Sequence, residues 1–491
     1  MSSQNIHPLL AVPPVAEAAP EKMAAVFDSQ LATALRWRES TARERIDRVR
    51  RLREAMLARR QQFYDAFAQD YRKAPAEVEA SEFLPVMEEI RHVLGRLKRW
   101  MKPVKAWPTN TMLGTSAWIQ YQPRGRVLII APWNYPLALC FGPLVSALAA
   151  GNTAIVKPSE MMPAVSALMA SIIAEVFPEN EVALFEGSLP TSTALLAMPF
   201  DHIFFTGSPA VGKVVMTAAA KHLTSVTLEL GGKSPTIVDE SANIALAAET
   251  IMWGKFINNG QTCVAPDLLY VHKSVKAAFI AQCKTVLQSR YGAGPAQQKD
   301  SPDLTRIVNR RHTQRVAHLL TDAVVRGAVV HTGGEVDEAT CYVAPTLLDN
   351  IGPGSAILEE EIFGPLLPII EYEQIDRVLE EINGAPKPLA LYIWSTRQKQ
   401  IDKVLLRTSS GGACVNHCVA QFAHGNLPFG GVNNSGMGNA HGIYGFRAFS
   451  HERGVMRSSP IMLIKMFFPP YTANRTMLIR KTVDMLRLPM L

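Results

Sequence analysis

The spacing of apolar residues divides the chain into a helical block and a longer series of strands and helices. Residues 22–100 carry apolar side chains at helical spacing, with one break near residues 73–75. Residues 116–122 then alternate apolar and polar side chains, which predicts a strand that leaves the block. Residues 1–20 are rich in proline and alanine and predict an N-terminal arm.

Short apolar runs alternate with helical stretches in the next part of the chain. The pattern predicts strands at residues 126–131, 153–157, 182–185, 202–205 and 225–230, and helices at 136–150, 163–177, 193–198 and 211–222. Short buried strands separated by helices are typical of a parallel, doubly wound sheet, which binds ligands at the carboxyl ends of its strands. The predicted fold class is therefore α/β.

A second series of strands and helices follows residue 231. It contains predicted strands at residues 236–238, 268–271, 328–331 and 391–394, and predicted helices at 275–291 and 303–326. This pattern indicates a second α/β domain. Beyond residue 411 the chain is rich in glycine and asparagine, which favours loops over a site.

Charge and cysteine content narrow the possible functions. The formal charge is +7, and ten arginines lie within residues 35–60. Because acidic residues are interleaved there and Ile46, Val49, Leu52 and Met56 recur at helical spacing, we interpret this segment as an amphipathic helix rather than a nucleic-acid site. Six cysteines without a CxxC pair predict reduced thiols in a cytoplasmic protein, and we assign no metal site.

The sequence predicts neither a signal peptide nor an integral membrane span. No run reaches the ~18 apolar residues of a span, and the apolar stretch His7–Ala16 has no basic residue before it and is broken by two prolines. The apolar stretch Ile461–Phe468 and the basic segment after it leave two interpretations open. They could contact a membrane surface peripherally, or pack against a partner or second subunit.

Two segments carry groups suited to covalent chemistry. Residues 258–266 place the thiol of Cys263 in a polar, glycine-containing turn, although a lone cysteine is more often an inert core residue. Glu229 ends a strand just before two glycines, where its carboxylate could act as a general base or form a salt bridge.

Three further segments fit a nucleotide and an oxyanion. Residues 205–213 follow a strand and open a helix whose free amides could bind a pyrophosphate, although the spacing is not GxGxxG. Lys157 and Glu160 end another strand, where they could hold ribose hydroxyls. Asn134 ends the first strand between prolines, and its side-chain amide could donate to an oxyanion or stabilise a turn.

Together these motifs resemble the NAD(P)-dependent aldehyde dehydrogenase superfamily over about residues 22–460. PWNYP, KPSE, FTGSPAVGK, LELGGKSP, GQTC, EEIFGP and LPFGGVNNSGMG occur in the family's order. Residues 204–235 and the FAHGNLPFGG stretch are similar to the class 3 branch, which includes fatty aldehyde and coniferyl aldehyde dehydrogenases. The coniferyl aldehyde dehydrogenase group is the nearest resemblance.

The resemblance implies domains and roles for particular residues. It implies a Rossmann-like NAD-binding domain at residues 21–110 and 125–230, a catalytic domain at 231–428, oligomerisation segments at 111–124 and 431–451, and a tail at 452–491. The implied catalytic residues are Cys263 as nucleophile, Glu229 as general base, and Asn134 as oxyanion donor beside the Cys263 backbone N–H. The implied cofactor-binding residues are Lys157, Glu160, Gly207, Ser208, Gly212, Glu361 and Phe363. The implied substrate-channel residues are Tyr135, Leu139, Phe429 and His441.

The expected function is oxidation of a hydrophobic aldehyde by a cytoplasmic homodimer. The aldehyde would be aromatic, such as coniferyl aldehyde, or a medium- to long-chain aliphatic one, and it would react through a thiohemiacetal and a thioester. NAD would be preferred, because Glu160 would repel a 2′-phosphate. NADP would be tolerated, as it often is in class 3 relatives.

Three other functions are compatible with part of the sequence. In a CoA-acylating relative a thiol resolves the thioester, and the presence of Glu229 argues against that. A cysteine hydrolase that pairs Cys263 with His441 or His417 leaves the nucleotide segments unexplained. A non-catalytic scaffold would not need Cys263, Glu229 and Asn134 together.

Overall fold

The computed structural model describes residues 16–109, 112, 114–458, 465 and 467–487, and it begins with the predicted block of helices. The elements of this block and the two strands after it are α1 Pro20–Trp37, α2 Ala42–Ala58, α3 Arg60–Tyr71, α4 Pro75–Val78, a π-helical turn Glu79–Phe83, α5 Leu84–Trp100, β1 Val104–Ala106 and β2 Thr115–Pro123.

The predicted break near residues 73–75 separates α3 from α4, but the block has further breaks that apolar spacing did not predict. At the start of α2, the Thr41 hydroxyl accepts a hydrogen bond from the Glu44 amide, and the Glu44 carboxylate accepts one from the Thr41 amide. This capping box ends the preceding turn and begins a new helix.

The predicted doubly wound parallel sheet is confirmed. Its parallel strands run in the order β7-β6-β3-β4-β5. The elements are β3 Arg126–Ile130, α6 Pro136–Ala150, β4 Thr153–Lys157, α7 Pro163–Val176, β5 Val182–Leu184, α8 Leu189–Leu196, β6 His202–Gly207, α9 Pro209–Ala220 and β7 Ser225–Leu230.

A second, seven-stranded sheet confirms the predicted second α/β region, in the order β10-β13-β14-β9-β8-β15-β16. Its strands are β8 Pro235–Val238, β9 Leu268–His272, β10 Val329–Thr332, β13 Thr346–Asp349, β14 Leu366–Tyr372, β15 Ala390–Trp394 and β16 Gly412–Val415, and a small pair is formed by β11 Val336–Asp337 and β12 Tyr342–Val343. The helices are α10 Ile244–Phe256, α11 Lys276–Tyr291, α12 Pro295–Asp300, α13 Arg310–Val325, α14 Ala356–Glu359, α15 Ile375–Gly384 and α16 Gln398–Arg407.

The predicted helix at residues 303–326 is wrong at its start, because α13 begins only at Arg310. The side chain of Asn309 accepts a hydrogen bond from the His312 amide and caps the helix there. The residues before it run alongside the Cys263 turn instead, where the Val308 amide donates to the side-chain oxygen of Gln261. In the residues before Arg310, contacts with the candidate site therefore take the place of the predicted helix.

A third sheet joins distant parts of the chain. Strand β18, Ser450–Ser458, pairs antiparallel with β2 along its whole length, and β1 pairs with the other edge of β2. Just before it lie β17, Gly436–Met437, which adds an antiparallel strand to β7, and α17, Gly442–Ala448. The predicted domain limits stay a prediction.

The last described element is α18, Ala473–Met485, which has no buried residue. Apart from Lys465, Phe467 and Phe468, the apolar stretch Ile461–Phe468 lies outside the described residues. Within the part of the chain that the structure describes, no helix is long and apolar enough to cross a membrane.

The core strands of the first sheet are buried on both faces. In β3, Val127 and Ile129 belong to the apolar cluster on one face, whereas Leu128 and Ile130 belong to the cluster on the other. Alternation of this kind is expected for a parallel sheet covered by helices on both sides. The carboxyl ends of its strands are therefore held in a rigid frame.

Candidate active site

Three sequence-predicted residues lie at or beyond the carboxyl ends of neighbouring parallel strands. Lys157 is the last residue of β4 and lies opposite Ile130, the last residue of β3. Asn134 lies in the loop that follows β3, four residues after Ile130. Glu229 lies near the end of β7, opposite Thr206 in β6. The sheet therefore brings these groups to one edge, as the strand pattern predicted.

The turn before Cys263 is held by side-chain amides. Asn258 and Asn259 adopt left-handed backbone angles, with φ of 52° and 50°. The Nδ2 of Asn258 donates to the Asn134 carbonyl at 2.8 Å, and the Nδ2 of Asn134 donates to the Gln261 carbonyl at 2.9 Å. The candidate oxyanion donor and the cysteine turn are thus directly connected.

Two cavities meet at Cys263. The larger has a volume of about 680 Å³ and lies between the two α/β regions, and the smaller has a volume of about 50 Å³. Cys263, Glu229, Thr206 and Leu139 line both of them. A molecule in either cavity would therefore reach the same thiol and the same carboxylate.

Enclosure changes the acidity of both groups. Burial, together with the nearby carboxylates of Glu361 and Glu229, raises the pKa of the Cys263 thiol to about 12. Burial alone raises the pKa of Glu229 well above its ordinary value, and neither carboxylate oxygen has a hydrogen-bond partner among the described residues. A buried carboxyl without partners is the kind of group that exchanges protons with a ligand.

The EEIFGP loop closes the larger cavity beside the thiol. Glu361 and Phe363 line this cavity, and the Phe363 ring lies 5.4 Å from that of Trp133. Burial and the Asp267 carboxylate raise the pKa of Glu361 to about 8. A Cβ on Gly231 would lie 2.2 Å from a carboxylate oxygen of Glu361, so a side chain there would displace this carboxylate.

The predicted nucleotide residues occupy two neighbouring places. Gly207 and Ser208 line the larger cavity at the start of α9, where the Ser208 hydroxyl accepts from the Val211 amide. Gly212 packs close to Leu230, where a Cβ would lie 2.7 Å from a side-chain carbon. Lys157 and Glu160 instead form an ion pair of 3.0 Å, and Glu160 borders a separate depression that also contains Glu186.

The predicted substrate residues divide into two groups. Leu139, Phe429 and His441 line the smaller cavity with Phe422, which the sequence reasoning missed. The rings of Phe422 and Phe429 lie 4.9 Å and 5.3 Å from that of His441. Tyr135 lines neither cavity, and its hydroxyl instead pairs with the Thr262 hydroxyl at 2.6 Å.

Sequence reasoning also missed the side chain of Gln261. Its Nε2 donates to the carbonyls of Asn258 and Arg306, and its Oε1 accepts from the Val308 amide. An amide so completely paired fixes the backbone on which Asn134 rests. Its place in the GQTC motif was the signal that could have identified it.

The histidines proposed for a hydrolase have other surroundings. His441 packs against the two phenylalanines named above, and burial lowers the pKa of its imidazole to about 4. His417 packs edge-on against Trp253 at 5.8 Å. Among the described contacts neither ring is hydrogen-bonded to Cys263, so no nucleophile–base pair of the hydrolase kind is formed.

The sequence profile of the aldehyde dehydrogenase family matches residues 10–455, and the chain belongs to this family. It is 42% identical over 427 residues to the 4,4'-diaponeurosporen-aldehyde dehydrogenase of Staphylococcus aureus, covering 87% of this chain and 92% of that protein. It is 40% identical over 462 residues to a Pseudomonas aeruginosa protein named probable coniferyl aldehyde dehydrogenase, covering 94% and 96%.

Solved structures of family members have the same fold. Staphylococcus aureus AldH in its substrate-bound state superposes with a TM-score of 0.89 at 39% identity, covering 94% of this chain and 99% of that one. Mycobacterium tuberculosis aldehyde dehydrogenase complexed with NAD+ gives a TM-score of 0.82 at 25% identity, covering 91% and 92%. The protein is an aldehyde dehydrogenase that oxidises aldehydes and uses NAD(P).

The residues of the larger cavity fit a dinucleotide. An oxygen of Glu361 is buried without a described partner, as a carboxylate that accepts from a ribose hydroxyl would be before the ligand binds. A Cβ on Gly207 would lie 2.5 Å from the Phe205 ring, so the chain keeps this turn free of a side chain. The unpartnered carboxylate and the open turn at Gly207 therefore both suit the binding of the cofactor.

Proposed function

We propose that this enzyme oxidises a hydrophobic aldehyde to its carboxylic acid, with Cys263 as nucleophile, Glu229 as general base and NAD as the preferred cofactor. The observation that carries the proposal is that the cofactor-sized cavity and the smaller apolar cavity share Cys263 and Glu229. An aldehyde held on one side of the thiol then faces the cofactor on the other.

In the first step the Cys263 thiol loses its proton to water, and the thiolate adds to the carbonyl carbon. The C–S bond forms while the carbonyl π electrons move to oxygen and create an oxyanion. Asn134 supports this step because only one hydrogen of its amide is used by the Gln261 carbonyl, which leaves the other to donate to the oxyanion. The Cys263 backbone N–H supplies the second donor.

When bound, the nicotinamide supplies the hydride acceptor. Glu361 and Phe363 would hold its ribose and ring beside the thiol, while Gly207, Ser208 and Gly212 would bind the pyrophosphate region. Lys157 and Glu160 would contact the adenosine ribose.

The thioester left on Cys263 must then be hydrolysed. Glu229 takes a proton from a water molecule, the water oxygen adds to the thioester carbon, and the C–S bond breaks to return the Cys263 thiolate and release the acid. The absence of described partners on both Glu229 oxygens supports this role, since the carboxylate is free to approach water.

Two carboxylates support the preference for NAD over NADP. Glu160, about a third exposed, and Glu186 border the same depression beyond the end of β4. A carboxylate accepts hydrogen bonds from ribose hydroxyls but repels a 2′-phosphate. Measured kcat/KM values for the two cofactors test this preference.

The lining of the smaller cavity supports a hydrophobic substrate. Leu139, Phe422 and Phe429 are apolar, and the names of the two relatives above refer to a diaponeurosporen-aldehyde and to coniferyl aldehyde. We therefore propose aromatic or medium- to long-chain aliphatic aldehydes as substrates.

We further propose a cytoplasmic homodimer with the predicted division into cofactor-binding and catalytic domains. The outer edge of β18 pairs with no strand among the described residues, so a second copy could bind there. All six cysteines are unpaired, which supports a reducing compartment.

The central experiment follows NADH formation with and without Cys263. The wild-type enzyme should form NADH and free acid from octanal without CoA, whereas Cys263→Ala should form none and still bind NAD with a Kd within about twofold of wild type. Turnover that requires CoA would support the acylating alternative. Retained turnover in Cys263→Ala would remove this thiol from the mechanism.

A further inference from the structure

Lys73 and Glu82 form a fully enclosed ion pair outside the two cavities. The Lys73 Nζ lies 3.0 Å from a Glu82 carboxylate oxygen, and both side chains have 0% exposure. Within the part of the chain that the structure describes, neither residue lines either cavity. Because burial of two charges offsets most of their attraction, stability alone is a weak reason for such a pair.

Glu82 is bonded to the helix that follows the oxyanion donor. It lies in the π-helical turn Glu79–Phe83, and its second oxygen accepts a hydrogen bond from the Ala138 amide at 3.0 Å. Ala138 is in the first turn of α6, which begins two residues after Asn134. A carboxylate at this end of a helix is electrostatically favourable and fixes where the helix begins.

Lys73 contacts the other side of the same segment. Its Nζ lies 4.4 Å from the centre of the Tyr135 ring, which is a cation–π contact. It also donates to the Tyr71 hydroxyl at 3.4 Å, and that hydroxyl donates to the Asn134 carbonyl at 2.9 Å. The dipeptide Asn134–Tyr135 is therefore held at the Asn134 carbonyl and at the Tyr135 ring.

The network continues to the cysteine turn. The Tyr135 hydroxyl pairs with the hydroxyl of Thr262, the residue before Cys263. A displacement of Tyr135 would therefore also change the relation between the amide of Asn134 and the thiol. Displacements of about 1 Å in such a constellation cost roughly 100-fold in rate.

We propose that Lys73 and Glu82 are positioning residues that hold Asn134 where it can donate to the oxyanion formed by thiolate addition. The inference rests on the proposed roles of Cys263 and Asn134. It assigns no contact between the ion pair and the substrate, and it predicts that the rate of the chemical steps depends on the pair while binding of NAD does not.

The test compares Lys73→Met, Glu82→Gln and the double variant Lys73→Met/Glu82→Gln with wild type. NADH formation is followed in a single turnover, with enzyme in excess over octanal and NAD saturating, and is expressed per NAD-binding site. This rate does not depend on thioester hydrolysis. We expect it to fall about 10- to 100-fold in all three variants, with the Kd for NAD within about twofold of wild type.

The double variant separates positioning from stability. It removes both charges of the pair, so neither is left buried without the other, and its unfolding midpoint should recover toward wild type. If the pair positions Asn134, the single-turnover rate of the double variant stays low although stability returns. If rate and stability return together, the pair is structural and the proposal is overturned.

Arg45→Met provides the matched control at the other end of α6. Arg45 is buried and donates to the carbonyls of Ala149 and Ala150 at 3.2 Å and 2.6 Å, at the last turn of the helix. The Arg45→Met variant should be less stable than wild type, but its single-turnover rate should stay within about threefold of wild type. An equal loss of rate would overturn the proposal, whereas a wild-type enzyme without NADH formation would overturn the proposed function instead.

Discussion

At the scale of single residues, Glu229 combines a catalytic need with a cost in stability. As a base it must lose a proton, yet burial raises its pKa well above the ordinary 4.5. The hydrolytic step should therefore accelerate as pH rises toward that raised pKa.

Glu229→Gln should show a burst of NADH followed by little turnover. The amide keeps the shape of the carboxyl group but cannot take a proton from water, so the thioester should accumulate. Rapid mixing with octanal and NAD measures both phases. If the burst disappears as well, Glu229 acts before hydride transfer, for example on the Cys263 thiol.

The same variant should also be more stable than wild type at alkaline pH. A carboxyl whose pKa is raised by folding binds its proton more tightly in the native state, so native stability falls as pH rises above 4.5. Each pH unit in this window costs up to about 1.4 kcal/mol. Denaturant unfolding should therefore show that Glu229→Gln exceeds wild type in free energy of unfolding by more at pH 8 than at pH 5. An equal difference at the two pH values would contradict the raised pKa of Glu229.

Asn134→Ala should lower kcat by roughly 100- to 1,000-fold, the usual effect of removing one oxyanion donor. Because its amide also donates to the Gln261 carbonyl, stability has to be measured on the same preparation. An unchanged kcat would leave Asn134 with only a turn-stabilising role.

At the scale of elements, the cysteine turn depends on a close approach of two loops. Gly260 has a φ of 76°, and a Cβ there would lie 2.2 Å from the carbonyl oxygen of Gly364 in the EEIFGP loop. That loop carries Glu361 and Phe363. The two loops can therefore touch only because residue 260 has no side chain.

Gly260→Ala should therefore lose both stability and activity. The left-handed backbone alone costs about 1–2 kcal/mol, and the clash should displace the EEIFGP loop and weaken NAD binding. Gly95→Ala is the control, since no atom lies within 4 Å of a Cβ at this position of α5. That variant should be neutral or more stable by up to about 1 kcal/mol, with unchanged activity.

Elements with a clear apolar period were predictable from the sequence, and those shaped by tertiary contacts were not. The bounds of α6, β4 and β7 match the predicted 136–150, 153–157 and 225–230, because strand burial and helix ends are locally encoded there. The predicted start of the helix at residue 303 is wrong because contacts with Gln261 hold the segment before α13 in a non-helical form.

The residues of the candidate site also divide into those that the sequence predicts and those that only the fold reveals. Cys263, Glu229 and Asn134 lie in motifs that a strand end or a glycine turn makes visible in the sequence. Lys73, Glu82 and Phe422 lie in stretches without such a mark, and only the fold brings them toward the others. Tyr135 was expected in the channel, but its hydroxyl is paired with Thr262.

At the scale of the whole molecule, the third sheet predicts the oligomeric state. Strand β18 pairs with β2 along one edge, and its other edge, over residues 450–457, pairs with no described strand. We expect light scattering to give twice the 53.9 kDa of one chain.

No described residue beyond Ser458 lines either cavity, so truncation after Ser458 should keep the activity per folded chain. Sedimentation of only the full-length chain with anionic vesicles would assign the tail to a membrane surface.

Substrate preference is the most informative property of the whole enzyme, because it reports on the smaller cavity directly. Most side chains that line the cavity are apolar, and its two carboxyl groups belong to Glu229 and Glu89. Glu89 lies beside His441, whose lowered pKa of about 4 keeps the imidazole neutral at pH 7. No cationic side chain lines it among the described residues, so an anionic semialdehyde would bind without a counter-charge. Each methylene that becomes buried contributes about 0.8 kcal/mol, or roughly fourfold in kcat/KM.

We therefore expect kcat/KM to be higher for octanal and coniferyl aldehyde than for acetaldehyde or succinic semialdehyde. A volume of about 50 Å³ holds only part of such molecules, so the half-buried side chain of Phe422 must move as they bind. An aldehyde panel at saturating NAD measures this order. A clear preference for acetaldehyde or for succinic semialdehyde would contradict the assignment of the channel. It would leave the roles of Cys263 and Glu229 unaffected, because those residues also line the larger cavity.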